Sequence, residues 1–73
     1  PWIDRARALK GGQWFEWTKP DGKSEQIKLL WISGDHQHYM FVNGNGIKAA
    51  ERRLVELAIA LRDGNMRLLD AQP

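Results

Sequence analysis

Residues 13–42 read QWFEWT-KPDG-K-SEQIKLLWIS-GDHQ-HYMFV, and this stretch decides the fold. Three runs rich in aromatic and aliphatic side chains alternate with two polar turns. Such side chains favour a pleated, half-buried surface, so the runs predict strands over 13–18, 24–33 and 38–42. Lys19-Pro20-Asp21-Gly22 is a strong turn: proline presets φ, aspartate tolerates the bend and glycine supplies positive φ. Gly34-Asp35-His36-Gln37 is the second turn. Asn43-Gly44-Asn45-Gly46 follows as a tight third, and Ile47-Lys48 extends it briefly. Strand alternation sets Phe15 and Trp17 on one face and Trp14 on the other. It groups Ile27, Leu29 and Trp31 in the same way. The expected core is therefore Phe15, Trp17, Ile27, Leu29 and Trp31, with Trp14 as the more exposed ring.

Helices flank the strands. Trp2, Ala6 and Leu9 fall on one helical stripe, and Gly11-Gly12 stops it, which predicts a helix over 2–9. Apolar residues at 50, 54, 57, 58 and 61 predict a second helix over 50–62, stopped at Gly64-Asn65. Residues 66–70 read as a last strand and 71–73 as a frayed end. The order helix–β–β–β–helix–β makes the chain mainly β with α. The expected architecture is a small antiparallel β-barrel or curled sheet with a C-terminal α-helix and a short N-terminal helix.

Composition bounds the function. The chain has 73 residues, 11 Lys+Arg against 9 Asp+Glu, a formal charge of +2 and no cysteine. That length allows one domain with a thin core, burying about 60% of the unfolded chain's surface. Disulfides and thiolate metal sites are excluded. No apolar run approaches the ~20 residues that span a bilayer, so no membrane insertion is expected. The chain starts on proline and carries no secretory signal at its start, which predicts an excised piece of a longer cytoplasmic protein. An enzyme is not expected. Both histidines, His36 and His38, lie in a polar turn, and zinc would need a third ligand. Neither Ser24 nor Ser33 has a histidine at an informative spacing. The chain is short for enclosing a pocket of ~300–1,000 Å³. No cofactor or metal is expected.

Binding residues are legible as types. Arg5, Arg7 and Lys10 form a basic group before the first strand, and Lys48, Arg52 and Arg53 form another. Arginine holds phosphate through its bidentate fork. Asn43, Asn45 and Gly46 sit in a turn whose backbone N–H groups suit an anion. Trp14 and Tyr39 are the rings expected to be available for stacking a base. The plainer readings are a solvated face, a turn and core packing.

The pattern Leu9-x-x-Gly12-x-Trp14-x-Glu16, Lys28-Leu29-x-Trp31-Ile32-Ser33 and Tyr39-x-Phe41-Val42-Asn43-x-x-Gly46-x-Lys48 resembles the C-terminal segment of a family of large proteobacterial proteins. That segment is similar to a PilZ domain, and the resemblance covers about residues 8 to 70. It implies a small antiparallel barrel and suggests cyclic di-GMP as a ligand. PilZ domains that bind this nucleotide carry RxxxR before the first strand and a (D/N)xSxxG turn. Here Leu9 stands four residues after Arg5. In the turn aligned on Gly46, Phe41 and Asn43 replace the acidic or amide residue and the serine. The resemblance with these departures implies a non-enzymatic regulatory module that docks a protein partner or a neighbouring domain. Cyclic di-GMP binding would be weak at most, with Arg5, Arg7 and Lys10 on the phosphates and Asn43, Asn45 and Gly46 opposite. The alternative is a small barrel that binds RNA or single-stranded DNA through Trp14, Tyr39 and the basic residues.

Overall fold

The computed structural model describes residues 1–69. Helix α1 spans Trp2–Arg7, followed by strands β1 (Trp14–Thr18), β2 (Ser24–Ile32), β3 (His38–Val42) and β4 (Lys48–Arg53). Helix α2 spans Leu54–Asp63 and strand β5 Met66–Leu68. Every strand pairing is antiparallel, in the order β4-β3-β2-β1-β5. The expected mainly-β fold with two helices is therefore present. The last residue of the expected final strand, Asp70, and the expected frayed end, 71–73, lie outside the described residues.

Of the two expected forms, the curled sheet is the one adopted. In a flat sheet β1 and β3 would stand about 10 Å apart and β1 and β4 about 14 Å. Yet the Phe15 and Phe41 rings meet edge to face at 5.4 Å, and the Arg52 guanidinium lies 5.5 Å from the Trp17 ring. Curling brings these strands across the core. The sheet does not close into a barrel, because β4 and β5 form its two unpaired edges. Helix α2 contacts both edge strands and buries Leu54, Leu57 and Ala58.

Two β-bulges shape the curl. Leu29 pairs with Phe41 but Trp31 pairs with Met40, so Leu30 is an extra residue in β2. Ala49 is likewise extra in β4, between the partners of Phe41 and Val42. An extra residue bends a strand and shifts its side-chain phase by one. Ile27 and Leu29 point inward, and beyond the bulge Ile32 does so instead of Trp31. This corrects the expected core at one position: Trp31 is 52% exposed, while Trp17 is half-buried and packs against the core. Phe15, Ile27 and Leu29 are wholly buried as expected, joined by Tyr39, Phe41, Leu57 and Met66.

The second helix starts four residues later than its apolar spacing implies. Residues 48–53 pair with β3 instead, which places Ala50 against Phe41 inside. Tertiary pairing overrides a weak local propensity. At the switch, the Glu56 carboxylate accepts the Arg53 N–H at 2.8 Å, and the Leu54 N–H donates to the Gln37 carbonyl at 3.0 Å. These bonds satisfy two of the four N–H groups that a helix start leaves open. Gly64 ends α2 in the left-handed region at φ 79°.

Helix α1 is too short to persist alone and is held by packing. Ala6 is wholly buried, and the Tyr39 hydroxyl donates to the Ala6 carbonyl at 3.3 Å. The expectation that Tyr39 offers a stacking face is overturned, because its ring fills the core under α1.

Replacing Tyr39 with Phe removes one long, buried hydrogen bond and is expected to cost about 0.5–1.5 kcal/mol in urea unfolding. Burial pushes the Tyr39 hydroxyl above its ordinary pKa of 10.0, against a smaller opposing pull from Arg7. A raised folded-state value stabilises fully below the unfolded value and is lost as pH rises through the folded value. Stability is therefore expected to fall at alkaline pH beyond 10.0, and Tyr39→Phe should remove that component.

Candidate functional site

None of the four tryptophans is buried. A core this small takes Phe15, Phe41 and Tyr39, and the larger indoles are left at its margins. Three of them stand beside cations. The Arg5 guanidinium lies 4.4 Å from the Trp2 ring centre, and the Lys28 ammonium 5.9 Å from that of Trp14. Lys19 and Arg52 each lie 5.5 Å from the Trp17 ring. Cations over indole faces are worth roughly 0.5–1 kcal/mol at exposed sites, and they cover apolar surface. Trp31 has no such partner among the described residues.

The outer face of the sheet carries the candidate site. Register sets Trp14 beside Lys28, Lys28 beside Val42, and Val42 beside Lys48. The next row sets Trp31 beside Met40 and Met40 beside Glu51. Met40 and Val42 stand two apart on β3 and join the rows. The result is a diagonal stripe from Trp31 through Met40 to Lys28 and Trp14, laid over Val42, which is only 4% exposed. Leu30, the bulged residue, adds exposed apolar surface at its upper end. Lys48 and Glu51 are paired at 2.6 Å along its border, which lowers the Glu51 pKa. Neither helix accounts for this face: α1 and α2 pack on each other, and α2 contacts β3, β4 and β5. A solvated sheet face is normally polar, so an exposed indole beside a methionine is the informative departure.

The other expected binding residues do not converge on this stripe. Trp14 lies on it, half-buried. Arg5 instead lines an open groove of about 530 Å³ between α1, the end of α2 and β5. This is a half-open groove rather than an enclosed pocket. Arg7 and Lys10 are exposed, and the Lys10 backbone N–H donates to Gln13 Oε1 at 2.8 Å. Asn43 Oδ1 accepts the N–H groups of Asn45 at 2.9 Å and Ile47 at 3.1 Å, so its side chain braces its own turn. Gly46 takes φ 79° there. The groove that Arg5 lines contains none of Asn43, Asn45 or Gly46. His36 and His38 are exposed beside a turn braced by Ser33, whose hydroxyl donates to Asp35 at 2.6 Å. Among the described residues, no three His, Cys, Asp or Glu side chains gather to hold a metal.

Sequence alternation alone assigns Trp31 to the core, so it hides the most exposed indole. Two adjacent large apolar residues, Leu30-Trp31, inside an alternating strand were the available sign of a bulge. Met40 carried no sign until β3 was set against β2.

Replacing Trp31 with Ala is expected to change unfolding free energy by no more than about 0.5 kcal/mol, as for a surface position. Phe41→Ala is expected to cost about 3–5 kcal/mol. Urea titrations followed by circular dichroism compare the two. Equal costs would place Trp31 in the core after all.

The search of curated proteins and the search of solved structures each return no match. A family model does match, over residues 1–69: that of the C-terminal tudor domain of the DUF1631 proteins, described as proteins of unknown function. The match spans nearly all of the chain, including both helices, and its description names a tudor domain rather than a PilZ domain. An open five-stranded antiparallel sheet around a small aromatic core, matched over this length, makes the chain a member of the DUF1631 C-terminal tudor domain family.

Proposed function

We propose that the domain is a non-catalytic interaction module that docks a protein partner through the outer-face stripe of Trp31, Met40 and Trp14. The observation that carries this reading is Trp31, half-exposed, without a cation and beside Met40. Tryptophan and methionine are enriched where proteins meet, and indoles are frequent binding hot spots. A tudor-like domain fits a small interaction module, which supports the same class of function. The flanking charges favour a protein over a nucleic acid. Lys28 lies over Trp14 and Lys48 is tied to Glu51, which leaves little free cationic surface to follow a phosphate backbone. The partner we favour is another part of the parent DUF1631 chain.

Titrating the isotope-labelled domain with the remainder of the parent protein tests this. Amide shifts are expected at Leu30, Trp31, Met40 and Val42. Trp31→Ala should weaken binding by about 30-fold, the hot-spot scale of ~2 kcal/mol. Shifts confined to other faces would overturn the reading. Two ligand arms separate the competing functions. Cyclic di-GMP with a Kd below ~1 mM would favour nucleotide binding instead. A steeply salt-dependent affinity for single-stranded RNA would favour a nucleic-acid role.

A further inference from the structure

We infer that the free edge of β5, together with the groove beside it, binds an extended peptide in which apolar residues alternate with Asp or Glu. The surface is separate from the outer-face stripe and the inference does not depend on it.

The first argument is hydrogen bonding. The Thr18 N–H donates to the Asn65 carbonyl at 2.8 Å, and the Leu69 N–H donates to the Trp14 carbonyl at 2.9 Å. With Glu16 opposite Arg67, residues 65, 67 and 69 turn their backbone groups towards β1. Antiparallel ladders alternate, so Met66 and Leu68 turn their N–H and C=O groups the other way, to the unpaired edge. No turn or loop hydrogen bond among the described residues reaches them. Proteins usually blunt such an edge with lysine, proline, a bulge or a covering element. Met66–Leu68 is short and carries one charge, but that charge, Arg67, is paired with Glu16 on the neighbouring strand, and the segment has no proline or bulge. Helix α1 stands across from the edge but does not cover it, and the groove of about 530 Å³ lies between them. A strand added to β5 would run about 4.8 Å from it.

The second argument is the chemistry of the walls. Trp2 and Leu9 line the α1 side of the groove, and Leu61, Met66 and Leu68 line the opposite side. Leu68 is 41% exposed although its side chain shares the inner face with Phe15. An added strand would present alternate side chains to these walls, the arrangement by which sheet edges recognise peptides. No carboxylate lines the groove, whereas Arg5 and Arg67 do. Arg67 is already paired with Glu16 at 2.9 Å. Arg5 stacks on Trp2 and has no carboxylate partner among the described residues. Arg7 and Lys10, beside the groove rather than in it, likewise have none, and with Asp4 as the one acidic residue of α1 this rim keeps a net positive charge. Its complement is an acidic residue at alternate positions of the bound strand.

The test titrates the isotope-labelled 73-residue chain with two capped peptides, one alternating valine and glutamate and one alternating valine and lysine. The acidic peptide is expected to shift the Met66 and Leu68 amides saturably, with a Kd below ~1 mM. The lysine peptide should leave them in place. Affinity should fall at least ~3-fold when ionic strength rises from about 0.05 to 0.5 M. Leu68→Pro removes an outward N–H without removing a bond to β1, a substitution that edge strands tolerate. It should abolish the shifts, whereas Leu68→Val should retain them. Should the proline variant unfold, Arg5→Glu provides the independent reading, with a loss of ~10-fold or more. Trp31→Ala should leave peptide affinity unchanged, which separates this site from the stripe. No saturable shift, equal shifts with both peptides, or shifts confined to Met40 and Val42 would overturn the inference. Shifts at Met66 and Leu68 that grow with protein concentration alone would assign the edge to a second copy and overturn it equally.

Discussion

The edge-to-face contact between Phe15 and Phe41 is the constraint on which the rest of this domain depends. It joins the first and third strands across a core too small for any of the four tryptophans. A curled sheet brings the two rings together across the core. The curl demands a bend in β2, which the extra Leu30 supplies. It also leaves β4 and β5 as the unpaired edges of the sheet. Helix α2 contacts both of these strands, and Tyr39 closes the core beneath α1 through its bond to Ala6. Buried side chains are almost wholly apolar, so shape and volume, more than polar pairing, specify the interior.

Surface chemistry follows from the same limit. Indoles that cannot be buried must be managed at the margin, and cations laid over their faces do this for Trp2, Trp14 and Trp17. Trp31 lacks that cover. Its position is a direct result of the bulge that permits the curl, so the feature that builds the core also presents the ring. A binding face can arise in this way without a separate structural element to carry it. The small excess of positive charge is also unevenly placed. It is neutralised in part along β4 and β1 by ion pairs and is left open on α1. The pI near 9.3 therefore describes the whole chain poorly as a guide to partners.

The tudor description of the matched family fits a small interaction module. The residues expected to grip cyclic di-GMP lie apart from one another. Asn43 and Gly46 build their own hairpin turn, while Arg5 faces a different groove beside β5. No helix among the described residues is long and apolar enough to cross a membrane.

Much of the fold was legible in the residues themselves. Strands at 14–18, 24–32 and 38–42 lie where aromatic alternation placed them, because a period of two and the chemistry of KPDG and NGNG are local properties. The stop at Gly64 is local for the same reason, whereas α1 ends at Arg7, two residues short of the expected Leu9 and before Gly11-Gly12. The groups that matter for binding were legible only as types. Whether Ala50–Arg53 began a helix or completed a strand depended on the offer of a partner, and β3 made it. Whether Trp31 faced in or out depended on one unpaired residue upstream, which no periodicity records. Tyr39 went from candidate surface ring to core because a six-residue helix had to be anchored somewhere. Local spacing determined which residues form strands and turns. Only long-range packing decided which faces those strands turn to water, because facing is set by register and register is set by partners far along the chain.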